Sequence, residues 1–318
     1  MKIIVSVSGG LGSAFALDMC IKKYGKENVV AVFTDVKGTG YSHFWSEFPH
    51  LEYLLHERFG GETRDTYEFL WHLSYALDIP IERLEHGSSI WGVAGKSRAF
   101  QIVNAKNRLC KASELLKRQT MAEWVEANFK QGEYRIALGM GLFEGHRVEK
   151  SGHWWTERMG YAVDVFSPMI ELYHEDKKAY YDNCTYAVWL NQIGIDAPSA
   201  YAEDLAHNNC GGGCFMAGQN QWAWLYKNAP EKYLYSAYQE NNIRRVLGVD
   251  ATILKMERDG EADGITLLDF VERIDAGDVN KRDLGGSCGC FTSVGVASLL
   301  SQAPLKETHN RRLPVTAT

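Results

Sequence analysis

Five of the 7 cysteines fall into three groups: Cys110 alone, Cys210 and Cys214 in Cys-Gly-Gly-Gly-Cys, and Cys288 and Cys290 in Cys-Gly-Cys. Glycine flanks let neighbouring sulfurs turn toward one point, which core packing alone does not require. An odd cysteine count in a chain that reads as intracellular argues against a disulfide framework and leaves metal binding, catalysis or burial. Four thiolates satisfy tetrahedral zinc, yet zinc sites usually present Cys-x-x-Cys knuckles, so zinc is the weaker expectation. A cubane iron–sulfur cluster suits the pattern better, taking four thiolates, or three with one iron left open for substrate or hydrosulfide. Cys20 and Cys184 lie within helical patterns and read as buried small hydrophobes.

A second chemical signal is the stretch Ser6, Val7, Ser8, Gly9, Gly10, Leu11, Gly12, Ser13, between a first strand and a first helix. There the amide groups and the helix dipole favour an anion, glycines let the backbone approach phosphate oxygens, and Ser8 and Ser13 add hydroxyls. The Lys of a GxxxxGKS loop is missing, so this is not that loop. Between Lys106 and Arg118 the chain carries five basic residues against one acid. Arg108, Lys111, Lys117 and Arg118 can neutralise phosphate or sulfate. Cys110 sits among these cations just before a helix pattern, and both conditions favour thiolate, making it a ligand or a nucleophile. Gly139, Glu144, His146 and Arg147 follow an apolar strand run, where open α/β sheets place ligands.

The elements that must carry these groups follow from periodicity. Residues 2 to 34 read as strand, helix, strand. Helix-like Thr66 to Leu77 precedes a strand at Glu82 to Leu84, helix-like Ala112 to Lys130 precedes a strand at Tyr134 to Leu138, and Val163 to Ile170 reads as a further strand. This alternation predicts an α/β fold, a mainly parallel sheet with helices on both faces. After about residue 200 the chain becomes rich in Gly, Cys, Trp and Tyr and mostly helical, with Asn220 to Tyr238 helical and aromatic. The expected organisation is a nucleotide-binding unit over 1–200, a cysteine- and aromatic-rich region over 201–300, and a flexible tail over 301–318.

Composition bounds the function. The chain has 318 residues, 45% hydrophobic and 23% charged, which fits a compact globular protein and excludes collagen-like or wholly disordered classes. The formal charge of −6 provides no global field to attract nucleic acid. No run of about 18 apolar residues occurs and MKIIVSVSGG lacks the features of a signal peptide, so the expected protein is cytoplasmic with no membrane partner.

The Ser-Gly-Gly-x-x-Ser loop after the first strand resembles the pyrophosphate (PP) loop of the adenine nucleotide α-hydrolase-like superfamily, whose ATP-pyrophosphatase members usually carry Asp where Gly12 stands here. Taken with CKASELLK at 110–117, LGMGLFEGHRVEK at 138–150, HNNCGGGCFMAGQNQW at 207–222, PEKY at 230–233 and GGSCGCF at 285–291, the chain resembles the phosphoadenosine phosphosulfate reductase family, in a phage- and bacteria-encoded branch with extra cysteines. The resemblance implies a Rossmann-like PP-loop fold. It also implies an adenine nucleotide or sulfonucleotide over Ser6, Ser8, Gly9, Gly10, Leu11, Gly12 and Ser13, with Phe33, Thr34 and Asp35 beside the adenosine and Lys111, Gly139, Glu144 and Arg147 completing the nucleotide set. By analogy Cys110, Cys210, Cys214 and Cys288 hold a 4Fe-4S cluster, Cys290 is the nucleophile, and Arg108 and Lys117 assist at the sulfate. Which of Cys288 and Cys290 is the fourth ligand and which the nucleophile is left open by the sequence. The terminal Gly-Ser-Cys-Gly-Cys-Phe lacks the Glu and His of the assimilatory reductases' ECGxH-type segment.

Three functions are compatible with these residues. The first is an iron–sulfur sulfonucleotide reductase regenerated by a thioredoxin-like or other electron donor. In the second, ATP activates a nucleic acid and a cluster with an open iron delivers sulfur, with Trp222, Trp224, Tyr226, Tyr233, Tyr235 and Tyr238 available to stack bases, although their helical spacing also suits a core. The third is a non-catalytic nucleotide-binding protein clamped by a structural metal. The sequence does not fix the oligomeric state; a homodimer is compatible with it.

Overall fold

The structure, a computed structural model, describes residues 1–38, 49–97, 101–102, 111–183, 185–201, 210–214, 217–248, 251–258 and 261–280. Arg108, Cys110, Cys184, Cys288, Cys290 and the tail over 301–318 lie outside the described residues. The first alternation forms as the sequence predicts: β1 (Lys2–Val7), α1 (Leu11–Tyr24) and β2 (Val29–Asp35). Then come α2 (Pro49–Phe59), α3 (Arg64–Leu77), β3 (Ile81–Glu85), α4 (Ile90–Ser97) and the two-residue β4 (Gln101–Ile102). Thr63 caps α3 by accepting the Thr66 amide, and Asp78 ends it in the left-handed region.

The predicted helix over Ala112 to Lys130 is two segments, a π-helical stretch Ser113–Gln119 and α5 (Thr120–Asn128), with the Thr120 hydroxyl donating to the Leu115 carbonyl. Next are β5 (Tyr134–Leu138), α6 (Gly145–Met159), β6 (Val165–Phe166), α7 (Pro168–Glu175), α8 (Lys177–Asn183) and α9 (Tyr186–Ile193). The strand expected over Val163 to Ile170 is thus confined to two residues, because Pro168, with its fixed φ and no amide proton, starts a helix at its first position.

β1, β2, β3, β5 and β6 form one all-parallel sheet in the order β3-β2-β1-β5-β6. Strand residues alternate between two cores. Ile3, Val5, Val7, Ala31, Phe33 and Ala137 pack with α1, α3 and α9 on one face, whereas Ile4, Val32 and Ile136 meet Met121, Val125 and Trp155 on the other. Helices therefore cover both faces, as an α/β fold requires.

A third core gathers Trp222, Leu225, Tyr233, Ile243 and Phe270 with Trp91, Ala94 and Leu116 from earlier in the chain. Its helices are α10 (Gln219–Asn228), α11 (Pro230–Leu247) and α12 (Leu267–Asp275), so the expected helix over Asn220 to Tyr238 is broken at Pro230. Three short strands join them: β7 (Ala251–Thr252) pairs with β4, and β8 (Leu254–Arg258) with β9 (Glu261–Ile265). Glu240 ties this region together, its carboxylate accepting the amides of Ile253 at 2.8 Å and Leu267 at 2.7 Å. Among the described residues no helix is long and apolar enough to cross a membrane.

Candidate functional site

The chain builds β1, β2 and β3 outward in one direction and then returns to lay β5 on the other side of β1, so the order reverses between β1 and β5. In open parallel sheets the crevice outside the carboxyl ends at such a reversal is where ligands bind. The glycine loop leaves β1 at this point and Gly139 leaves β5. Their backbones touch: a Cβ on Gly12 would stand 2.6 Å from the Gly139 carbonyl oxygen, and one on Gly139 would stand 2.3 Å from Ser13 Cα and N. This contact accounts for glycine at both positions. Gly9, at φ +76°, adopts a conformation that favours glycine and leaves no room for a side chain beside Thr66.

The loop's hydroxyls are tied together. Ser13 Oγ accepts the Ser8 amide at 2.9 Å, lies 2.9 Å from the Gly10 carbonyl as its donor, and is 3.1 Å from Ser8 Oγ. Gly10 precedes α1 in an extended conformation, without a side-chain cap and with no acid in the first turn, so the positive end of the helix dipole opens onto the crevice. The Leu11 amide donates to the Tyr201 hydroxyl at 3.3 Å. Ser6 is half-buried within β1, in register with Val32 and Leu138.

At the end of β2, Phe33 and Thr34 are buried, and Phe33 packs edge-on against Tyr67. Asp35 is fully buried and heavily engaged. Its carboxylate accepts the Tyr67 hydroxyl at 3.0 and 2.8 Å and the Lys37 amide at 2.8 Å, and pairs with Arg83 at 2.7 Å. Tyr67 in turn accepts the Glu62 amide at 3.0 Å. Burial and the neighbouring Asp35 push the Tyr67 hydroxyl well above its ordinary range, so it stays a neutral donor. Asp35 thereby serves chiefly to lock the strand end.

Beside Asp35 lies a buried group of charges assembled from three distant segments. Glu62, in the turn between α2 and α3, accepts the Gly211 amide through Oε2, while its Oε1 lies 3.9 Å from Lys117 Nζ on the π-helical stretch. Lys232, from the PEKY segment, turns its ammonium onto the carbonyls of Phe59 at 2.9 Å, Gly61 at 2.7 Å and Glu62 at 3.0 Å. Burial pushes the Glu62 carboxyl up to about 7, against the pull of Lys117, and draws Lys232 down to about 8, against the pull of Glu62. Gly211 is indispensable to this seat: at φ +69° its absent Cβ would lie 2.5 Å from the Gly61 oxygen and from Lys232 Cε. Cys210 itself holds φ +58°, an uncommon left-handed value for a non-glycine residue.

Cys210 and Cys214 are buried at 5% and 1% exposure in the third core. Gly213 sits where a side chain would strike Trp222, at 2.7 Å. Two buried thiols lie on a glycine-shaped turn, with the charge of Cys210 felt at Glu62 and Lys232. Cys110 and Cys288 fall outside the described residues, as do Cys290 and Arg108. Among the described residues no three His, Cys, Asp or Glu side chains gather as a metal site. Cys20 is fully buried, and burial pushes its thiol up to about 12, as expected of a packed cysteine.

Other predicted residues are placed differently. Lys111 pairs with Glu114 at 2.8 Å, and Arg118 lies over the Trp154 ring at 4.9 Å, toward α6. Glu144 accepts the Gly141 amide at 2.9 Å and pairs with Arg147, bracing the turn after β5. Of the aromatic run, Trp222, Trp224, Tyr233 and Tyr235 are buried, which makes them core and removes them as a platform for bases. Glu62, Tyr67, Arg83 and Tyr201 are additions that the sequence did not single out, and Lys232 was marked there only as part of PEKY at 230–233. No protein-family model matches the chain, and no curated protein matches it in sequence.

Proposed function

We propose that this is a nucleotide-binding enzyme of sulfur chemistry, acting on an adenylyl sulfate in the manner of the sulfonucleotide reductases. The single observation that carries the reading is the seating of the Cys210 loop. The Gly211 amide is bound to Glu62 beside Lys117 and Asp35, so a cysteine pair and two lysines share the carboxyl edge of the sheet with an anion-ready glycine loop. A nucleotide held at that loop has its charged end near cations and thiols that are kept from bulk water. Lys117 and Arg108 offset the negative charge that develops as the sulfur is attacked.

In this reading a thiolate, assigned to Cys290, attacks the sulfate sulfur. The sulfur–oxygen bond to the adenylate breaks, the adenylate leaves with that oxygen's electron pair, and an S-sulfocysteine remains. A dithiol donor of the thioredoxin type then attacks the cysteine sulfur. Sulfite departs with the electron pair of the sulfur–sulfur bond, leaving a mixed disulfide between the donor and Cys290; the donor's second thiol then displaces the Cys290 thiolate and the donor becomes a disulfide, its two electrons accounting for the reduction. Cys110, Cys210, Cys214 and Cys288 would hold the cluster, which when bound supplies an electropositive face to the sulfate end. Location in the cytoplasm belongs to the same proposal.

The test is iron and acid-labile sulfide content, with the visible spectrum, on the full chain purified without oxygen. Near-stoichiometric iron and sulfide, lost in Cys210→Ala and Cys214→Ala, supports the ligand assignment. A fully loaded cluster in both variants, or colourless protein holding zinc, rejects it.

A further inference from the structure

The residues from Glu62 to Tyr67, which enter α3 and form its first turn, reach four distant parts of the chain. Glu62 accepts the Gly211 amide, Asp65 accepts the amide and hydroxyl of Ser199 at 2.7 and 3.0 Å, Thr66 packs beneath Gly9, and Tyr67 holds Asp35. Glu62, Thr63 and Thr66 are buried, at 3%, 7% and 0% exposure. One short segment thus lies between the glycine loop and the Cys210 loop and touches both.

This segment is closed on itself. Thr63 Oγ1 accepts the Thr66 amide at 3.3 Å and lies 2.9 Å from Thr66 Oγ1, so the start of the helix is capped from within. The Glu62 amide donates to the Tyr67 hydroxyl at 3.0 Å, and that hydroxyl donates to Asp35 at 2.8 Å. The contacts at the two ends leave no slack: a Cβ on Gly9 would lie 2.4 Å from Thr66 Cγ2, and one on Gly211 would lie 2.5 Å from the Gly61 oxygen. Groups packed this closely pass a displacement on instead of absorbing it.

We infer that Glu62 and Thr66 are positioning residues that lock the Cys210–Cys214 loop to the glycine loop, so that the two loops open as one unit and a ligand at one is felt at the other. The identity of that ligand rests on the nucleotide reading above; the lock itself does not. Glu62 acts on the cysteine loop through the Gly211 amide, and Thr66 acts on the glycine loop through its methyl group. Thr63 and Tyr67 make the connection between them rigid. In the reductase reading the lock holds the cysteine pair at a fixed place relative to the bound nucleotide.

The test is hydrogen exchange of the full chain in low urea, read at single amides by fragmentation mass spectrometry. The amides of Ser8, Glu62 and Gly211 each donate to a side chain, whereas that of Ile136 donates to the Asp164 carbonyl beside the sheet and reports global unfolding. A lock predicts one opening free energy and one urea slope for the first three, both below those of Ile136. Different opening energies for Ser8 and Gly211, or opening of all three only together with Ile136, overturns it, and this measurement needs no variant to fold. Thr66→Ser, which removes the methyl beneath Gly9, should speed exchange at Gly211 about tenfold with Ile136 unchanged. Glu62→Ala should do the same at Ser8, and Glu62→Gln, which keeps an acceptor for the Gly211 amide, should restore the wild-type rate there. Unchanged exchange at the far loop in Thr66→Ser or Glu62→Ala contradicts the lock. ATP added to the wild type separates the two readings. Slower exchange at both Ser8 and Gly211 supports the lock and the nucleotide together, and slower exchange at Ser8 alone overturns the lock. No change at either removes the nucleotide reading, and the urea series then decides the lock by itself.

Discussion

The glycine crevice and the seat of the Cys210 loop share one edge of the sheet, yet they are built in opposite ways. The crevice is mostly local: residues 8 to 13 bond to one another, and the distant backbone of Gly139 is pressed against them. The seat is assembled from Glu62, Lys117, Gly211 and Lys232, no two of them closer than 21 positions apart in sequence. Its parts are buried charges whose cost is offset only when all are in place. A local loop tolerates loss of one hydroxyl, whereas a charge cluster fails when one member is removed. The α3 N-terminus joins the two, placing Thr66 under Gly9 and Tyr67 on Asp35.

The largest effect should come where the crevice admits no atoms. Gly139→Val puts a branched side chain onto Ser13 backbone, and a loss of about 4 kcal/mol or more is expected in urea denaturation. Wild-type stability in this variant would dissolve the backbone contact that explains Gly12. Lys232→Met is next. It strips three partly buried carbonyls of their shared donor and leaves Glu62 nearer to isolation, for an expected loss of roughly 3 kcal/mol. If Lys232→Met costs less than Ser13→Ala, the contrast between a cooperative seat and a tolerant loop is wrong.

Glu240 sharpens the comparison through pH. Burial raises its carboxyl to about 7, above the unfolded value of 4.5, so the folded protein keeps a proton that the unfolded chain has already released. Its contribution to stability is fully present below pH 4.5 and is lost as pH rises toward 7, on the order of 3 kcal/mol across that window. Subtracting the pH dependence of Glu240→Gln from that of the wild type should isolate a falling slope, and a flat difference would refute it. The smallest effect belongs to Ser13→Ala, about 1 kcal/mol, because the Ser8 amide loses its acceptor near solvent.

The sheet was legible because its signals are contiguous. Apolar runs at Lys2–Val7 and Val29–Phe33 and the Ser-Gly-Gly turn between them report local periodicity and turn chemistry, and these became β1, β2 and the crevice. Gly139 was readable as a strand-end residue, but its contact with Gly12 depends on strand order. Where one residue overrode a run, the reading failed: Pro168 and Pro230 each start a helix inside a stretch that looked uniform. The β8–β9 pair also escaped, although the Asp259-Gly260 dipeptide between them is a strong hairpin signal. Glu62 was invisible for a different reason. It looks like an ordinary surface charge in the sequence, and although PEKY at 230–233 marked the segment of Lys232, only the tertiary fold turns the two inward onto one another's neighbours. Asp35 shows the converse, since a residue whose position suggested a ligand contact is occupied by Tyr67, Arg83 and the Lys37 amide.

The most direct test of the central claim is sulfite release. The protein purified without oxygen, supplied with adenylyl sulfate or phosphoadenylyl sulfate and a reduced dithiol protein, should form one sulfite and one adenylate (3′-phosphoadenylate from the second substrate) per turnover, and Cys290→Ala should abolish both. If no sulfite forms while ATP is cleaved and sulfur appears on a nucleic acid, the fold serves sulfur transfer instead. If neither product forms with metal-replete protein, the reductase account is contradicted and the metal and glycine loop remain a binding device.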